Sequence, residues 1–350
     1  MDHARFADRD AHGVLDVRHG QDALEAISGE GFWAVVATFE GDVTAVRFQH
    51  VTKRAHAVTH GDALDPAPAG GWRPLDRRWH SSLDRTAYVG AVREVQRRIA
   101  AGTVYQVNVC RVLSHELTAD ADLDALGSLV RHGNPSPHGA RVRCEPAGLD
   151  VVSASPELYL SRHGRRLVTR PIKGTAATAD AMLPKDHAEN VMIVDLMRND
   201  LSGVCDPGTV TVDALCEVEQ HPGLVHLVST VSGRLREEAA WTDVFAAAYP
   251  PGSVSGAPKS SALTAIRDLE AALRGPYCGA VGWVDADADE AVLAVGIRTF
   301  WAEHDDDGRR WLRFGTGAGI TWHSDPAGEW AETELKAARL IGLAAGVVTP

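Results

Sequence analysis

Lys173 is the first residue in this chain whose type and place suggest covalent chemistry. It lies in Arg170-Pro171-Ile172-Lys173-Gly174-Thr175, where a strand reading ends at a glycine. A glycine there lets a ligand approach the backbone closely. An amine kept out of water could act as a nucleophile. A turn carrying a surface lysine accounts for the same local pattern. Downstream, Glu329, Glu332 and Lys336 are spaced i, i+3 and i+7 and share one helix face. Two carboxylates so placed repel each other unless a cation lies between them, and Mg2+ favours such oxygen ligands. A solvated acidic face is the ordinary alternative. Ahead of that helix, Gly315-Thr316-Gly317-Ala318-Gly319-Ile320-Thr321 reads as a glycine-dense turn. Its exposed N–H groups would suit a carboxylate or phosphate. Glu189 shares a stripe with Ile193 and Leu196 in the helical segment 186–200, so it faces inward and needs a partner or a metal.

Other candidates are more ambiguous. Gln106 and Asn108 lie on one face of a strand read over 103–112, opposite an apolar face of Tyr105, Val107 and Val109. Two neutral amides there are either solvated or line a pocket. His226 sits in an apolar run, where a lone histidine is more often a satisfied core residue than a catalyst. Arg298 would be a costly buried cation, met by a substrate carboxylate or by an internal ion pair. The loop Pro251-Gly252-Ser253-Val254-Ser255-Gly256-Ala257-Pro258-Lys259-Ser260 resembles a phosphate-binding loop but lacks Gly-Lys-Ser, so it reads as a pocket wall. Pro258 suits the start of the helix that follows.

The elements that position these residues are mixed. A hairpin is read around Phe39-Glu40-Gly41-Asp42 and a Pro/Gly-rich connection at 65–72. A helix carries Tyr88, Val92, Val95 and Ile99 on one face and ends before Gly102. Strands are read at 151–160, 167–172, 292–301 and 311–315, and a closing helix at 329–343. No strict βαβ alternation is present, which favours α+β with largely antiparallel sheets. The division expected is residues 1–85, strands and linker, and 86–350, the catalytic domain. The 35 Lys+Arg and 47 Asp+Glu give a net charge of −12, which argues against a nucleic-acid partner. Five scattered cysteines, none in CxxC spacing, argue against a disulfide framework or a zinc site. No apolar leader follows Met1, and the longest aliphatic stretch, 340–348, is too short to span a bilayer, so a cytoplasmic protein is expected.

Taken in order, the motifs resemble the chorismate-binding enzyme family. They are Tyr105-Gln106-Val107-Asn108, Ser155-Pro156-Glu157, Pro171-Ile172-Lys173-Gly174-Thr175 and the segment 188–200, from Ala188-Glu189-Asn190 to Arg198-Asn199-Asp200. His226-Leu227-Val228-Ser229, the segment 252–259, Tyr277-Cys278-Gly279-Ala280-Val281-Gly282 and the 315–321 run with Glu329, Glu332 and Lys336 follow. The resemblance is dense from about residue 102 to 340 and loose before it.

The resemblance implies an α/β/β/α sandwich of two packed antiparallel sheets with helices outside. It implies Mg2+ held by Glu189 and Glu332 with Glu329 nearby, gripping the ring carboxylate of chorismate. It places Tyr277, Arg298, Gly317, Ala318 and Gly319 around the enolpyruvyl carboxylate, Gly174 and Thr175 along the substrate, and Ser255 and Lys336 in the same pocket. Water-adding members carry a lysine base where this chain has Gln106, so the neutral amide matches the ammonia-using members. Anthranilate-type members typically carry alanine where this chain has Lys173; lysine there marks the aminodeoxychorismate-forming branch, whose product leads to p-aminobenzoate and folate. Glu157 would be the general acid, Lys173 the nucleophile, and His226 an assisting group. A separate glutamine amidotransferase subunit would supply ammonia. Amination at C2 and a non-catalytic homologue are the competing readings. No Leu-Leu-Glu-Ser signature is found, so feedback by tryptophan is not expected.

Overall fold

The computed structural model describes residues 1–54, 71–76, 78–176, 178–182, 184–221 and 224–347. Residues 65–70 of the expected connection lie outside them. Among the described residues every strand pairing is antiparallel. Starting at one edge, the order is Thr211–His221, Leu224–Arg234, then Arg166–Arg170 together with Ile172–Ala176, Leu158–His163, Glu290–Val295 and Ala280–Asp285. It continues through Phe32–Ala37, Val43–Lys53, Arg9–His19 and His3–Phe6. His138–Cys144, Leu149–Ser155, Thr299–His304, Arg310–Ile320 and Gln106–Glu116 follow, and the short strands His80–Ser81 and Gly256–Ala257 pair with the last of these. The result is the expected α+β fold. The two sheets of the expected sandwich are linked, because His3–Phe6 pairs with Arg9–His19 on one side and His138–Cys144 on the other. One core joins both halves: Val35, Leu160, Val281 and Leu293 from the first pack in the same buried cluster as Val107, Val109, Val142 and Val151 from the second. The earliest strands sit in the middle of this order, paired with segments near residues 140 and 280.

Two strands expected as continuous cross between the halves instead. The segment read at 151–160 divides into Leu149–Ser155 and Leu158–His163, with Pro156 and Glu157 at the break. Proline cannot donate to a ladder, so the strand ends there. The segment read at 292–301 divides into Glu290–Val295 and Thr299–His304, with Arg298 in the left-handed region at φ 56. The crossings are tied together: Val295 N donates to Glu157 O at 3.0 Å, and Ala154 N to Arg298 O at 3.0 Å. Glu157 and Arg298 are therefore fixed by the same pair of sheet crossings.

The glycine-dense turn is a correction. Residues 315–320 continue the strand Arg310–Ile320, paired with Gln106–Glu116 from Trp311 opposite Glu116 to Ile320 opposite Val107. The glycines serve close approach rather than reversal. A Cβ on Gly315 would fall 1.9 Å from the Tyr277 ring, one on Gly317 2.5 Å from Cys110 Sγ, and one on Gly319 2.4 Å from Gln106 Nε2. Pairing with Thr299–His304 stops at Phe314, so from Gly315 onward the far edge of the strand faces a helix. Tyr105 is a second correction. It precedes the strand, which begins at Gln106, and is 66% exposed rather than part of an apolar face.

Two helices frame the cavity described below. Pro326–Ala344 starts at Asp325, whose side chain accepts from Gly328 N, and buries Thr333, Ala337, Leu340 and Leu343. Buried Arg111 fastens it, donating to Thr333 Oγ1 at 3.0 Å, pairing with Glu334 and stacking 4.2 Å from the Trp330 ring. Pro184–Ser202 is fastened at its middle by buried Asn190, which donates to Leu227 O at 3.1 Å and accepts from Ser229 Oγ. Near its end buried Asp200 meets Lys259 at 2.7 Å.

Burial raises the Asp200 carboxyl to about 6, with Lys259 opposing the shift. A carboxyl raised on folding favours the folded state at low pH, and that advantage is lost as pH rises through the raised value. Lys259→Ala leaves the carboxylate buried without its cation and is expected to cost roughly 3–5 kcal/mol at neutral pH. Urea denaturation at pH 7.5 and pH 5 checks this: the deficit should shrink at the lower pH, where Asp200 is protonated.

Candidate active site

Glu157 is buried at the first sheet crossing. Burial raises its pKa; a hydrogen bond from Ser253, the Lys173 charge, the Ile172 N–H and the Lys336 charge pull the other way. Lys173, partly buried in the strand Ile172–Ala176, donates from Nζ to Ser253 O at 2.9 Å. Burial lowers its pKa, opposed by Glu157 and Glu189. Burial pushes both groups toward their neutral forms. The alternative of a plain surface lysine is thereby removed.

Gly174 has φ 82, which a side chain would strain, and a Cβ there would lie 2.9 Å from Asp186 Cβ. Its absence lets the helix bearing Glu189 close on the strand bearing Lys173. Thr175 follows in that strand and stands opposite His226. His226 is half-buried and also stands opposite Glu219, so it belongs to neither the core nor the surface.

Glu189 from one helix and Glu329 and Glu332 from the other line a single cavity of about 540 Å3, with Met192, Thr321, His323 and Asp325. Among the described residues no three histidine, cysteine, aspartate or glutamate side chains are already gathered tightly enough to hold a metal. The three glutamates nevertheless supply the all-oxygen donor set that Mg2+ prefers. Glu332 is paired with Lys336 at 2.7 Å, and Lys336 also donates to Gly317 O at 3.1 Å. That bond joins the helix to the open strand edge where the sequence had suggested a turn.

Gln106 is fully buried, and neither its amide oxygen nor its nitrogen has a hydrogen-bond partner in the protein. An amide left so is costly unless a ligand or water meets it. Of its two readings, the solvated one fails. Asn108 is buried beside it and donates to Ser253 O at 3.1 Å. Tyr277 is buried with its ring on Gly315. Arg298 is half-buried; burial lowers its pKa, and among the described residues it has no ion-pair partner. Of its two readings, an internal ion pair is thus not observed. The Ala318 side chain packs in the core, so only its backbone can face a ligand. Ser255 is turned away: its hydroxyl donates to Pro251 O at 3.1 Å and Gly252 O at 3.3 Å inside its own loop.

Sequence reasoning missed Ser253, Asn190 and Arg274. Arg274 lies beneath the site, paired with Glu270 and donating to Val254 O and Asn108 O, each at 2.9 Å. Two serines separated by one residue in a glycine-flanked loop look equivalent in sequence. Only the 3-10 turn Gly252–Val254 brings the Ser253 carbonyl to Lys173.

Gly315→Ala is expected to expel the Tyr277 ring. Overpacking of this kind costs about 1–3 kcal/mol or more. Thermal unfolding checks it, with a lower melting temperature expected.

A buried amine and carboxyl beside a carboxylate-lined cavity, set where an antiparallel sheet crosses between its halves, define an α+β enzyme-type site. Residues 32–342 match the family described as chorismate binding enzyme, and the chain belongs to that family. It is 36% identical over 314 residues to anthranilate synthase component 1 of Streptomyces coelicolor, covering 85% of this chain and 58% of that protein. It is 35% identical over 288 residues to aminodeoxychorismate synthase component 1 of Klebsiella aerogenes, covering 79% and 61%. The chain thus spans about three-fifths of the length of these relatives. The crystal structure of anthranilate synthase component I from Streptococcus pneumoniae superposes with a TM-score of 0.78 at 22% identity, covering 97% of this chain and 92% of that one, which establishes the shared fold. Among the described residues no helix is long and apolar enough to cross a membrane.

Proposed function

We propose that this chain converts chorismate and ammonia to 4-amino-4-deoxychorismate, as an aminodeoxychorismate synthase component I. The observation that carries the reading is Lys173 Nζ held on Ser253 O at 2.9 Å near the buried Glu157 carboxyl, with burial pushing each group toward its neutral form. A neutral amine can attack and a neutral carboxyl can give a proton. Lys173 Nζ attacks C2 of the ring, the ring double bonds shift, and the C4–O bond breaks. The hydroxyl leaves as water with the proton from Glu157. Ammonia then bonds to C4, the double bonds shift back, and the C2–N bond to Lys173 breaks, restoring the amine. The Glu157 carboxylate recovers the proton that ammonia gives up.

Gln106 is neutral and cannot act as a base on water, which favours ammonia as the nucleophile; its orphaned amide is free to hydrogen-bond the ring hydroxyl or the incoming nitrogen. Arg298 and Tyr277, with the backbone at Gly317, Ala318 and Gly319, form a cationic, hydrogen-bonding wall for a carboxylate. Mg2+ held by Glu189, Glu329 and Glu332 would neutralise and orient the second carboxylate when bound. His226, opposite Thr175, flanks the ring. Ammonia would come from a glutamine amidotransferase subunit, in keeping with the component 1 names of the relatives.

Incubation with chorismate, Mg2+ and ammonium, followed by an aminodeoxychorismate lyase, should yield p-aminobenzoate. Anthranilate in its place would move the chemistry to C2. That second reading is favoured by the 36% identity to an anthranilate synthase component 1 and opposed by Lys173, which C2 amination does not require.

A further inference from the structure

Two side chains from different strands meet on one backbone carbonyl. Lys173 Nζ donates to Ser253 O at 2.9 Å, and Asn108 Nδ2 donates to the same oxygen at 3.1 Å. Lys173 comes from the strand Ile172–Ala176 and Asn108 from the strand Gln106–Glu116. A carbonyl oxygen has two lone pairs, so the Asn108 amide takes one and leaves the other to the amine. Asn108 and Ser253 are both buried, where a hydrogen bond is electrostatically stronger than in water.

The backbone already ties this strand to the loop that carries Ser253. Asn108 N donates to Ser255 O at 2.9 Å, and Gly256–Ala257 pairs with Gln106 and Val107. Arg274, itself buried and paired with Glu270, donates to Asn108 O and to Val254 O, each at 2.9 Å. The side-chain amide of Asn108 is therefore not needed to dock the loop. What it adds is direction at the Ser253 carbonyl. Its own freedom to turn is small, because a Cβ on Gly319 would already fall 3.3 Å from Asn108 Oδ1.

We propose that Asn108 is a positioning residue for Lys173: by filling one lone pair of the Ser253 carbonyl, its amide fixes the line along which the amine is held and so the approach of Nζ to the ring. This rests on the reading of Lys173 as the nucleophile. Without the amide the carbonyl accepts along either lone pair, and Nζ no longer has a single place. Reacting groups lose rate steeply when displaced, about 100-fold for a misplacement of about 1 Å.

The test compares wild type with Asn108→Ala, Asn108→Cys and Asn108→Gln. Four quantities are read: the rate of mass gain on Lys173 after acid quenching with chorismate and Mg2+ alone, kcat and KM for amination, chorismate affinity by calorimetry, and melting temperature. Asn108→Ala should slow both the mass gain and kcat by about 10- to 100-fold, with affinity and KM little changed. Asn108→Cys, close to asparagine in volume but a weak donor, should be nearly as slow, which separates the hydrogen bond from packing. Asn108→Gln keeps an amide donor and should recover more of the rate than either. Wild-type rates in Asn108→Ala and Asn108→Cys would overturn the proposal. So would a loss of rate that follows affinity and melting temperature down in step, the mark of a merely structural role, or recovery by cysteine and not by glutamine. Should Asn108→Ala fail to fold, Asn108→Cys and Asn108→Gln are read by the same quantities. If wild type aminates with no mass gain on Lys173, or Lys173→Ala keeps the wild-type rate, the premise falls and takes this proposal with it. If wild type shows the mass gain and Asn108→Ala and Asn108→Cys match its rate, only the role of Asn108 falls.

Discussion

Lys173→Ala is expected to lower C4 amination by more than about 1,000-fold, the scale on which loss of a covalent nucleophile acts. The reason is chemical. Without the amine, nothing bonds to C2 to push out the C4 hydroxyl, and ammonia must displace it directly. Binding should survive. Lys173 donates to a backbone carbonyl, while the groups proposed to bind carboxylate, Arg298 and Tyr277, and the glutamate-lined cavity lie on other elements. Stability should survive as well, because removing a shielded amine also removes its desolvation cost. Steady-state amination with ammonium, together with chorismate calorimetry, checks both halves. Retained binding with lost turnover is the expected pattern. Retained turnover would place the reaction at C2.

Glu157→Gln is expected to cost about 100- to 10,000-fold in kcat, the range in which a positioned general acid acts. The amide fills the same space, yet it has no acidic proton to give. The wild-type profile should fall on both sides of an optimum. At low pH the Lys173 amine is protonated and cannot attack; at high pH the Glu157 carboxyl is ionised and cannot protonate the leaving group. Burial lowers the first pKa and raises the second, so both shifts widen the population of the doubly neutral, active pair. Because the two groups interact, the limbs belong to the pair rather than to either residue. In Glu157→Gln the limb due to carboxyl ionisation should disappear, which a kcat–pH series reads directly.

The strands and helices that carry the site were largely legible in the sequence, because their apolar periodicity is strong. Tyr88, Val92 and Val95 mark a buried helix stripe that the structure reproduces from Arg85 to Ala100, capped by Asp84. What periodicity could not show is where a strand changes sheet half. Apolar residues run on through Val151–Leu160 and through Val292–Trp301, and only the hydrogen-bond partners reveal that Glu157 and Arg298 stand at crossings. Gly315, Gly317 and Gly319 misled for a related reason. Alternate glycines look like a turn when read along the chain, but here each yields room to Tyr277, Cys110 or Gln106 arriving from elsewhere. Lys173 and Ser253 are 80 residues apart in sequence, and their meeting is a property of the fold alone.

The central claim is a covalent bond between Lys173 and the ring. Acid quenching of enzyme incubated with chorismate and Mg2+ but no ammonium, followed by peptide mass analysis, tests it most directly. The prediction is a mass gain of one chorismate less one water, located on the peptide containing Lys173 and discharged when ammonium is added before the quench. An enzyme that forms 4-amino-4-deoxychorismate on adding ammonium, yet carries unmodified Lys173 at every time before it, would contradict the account.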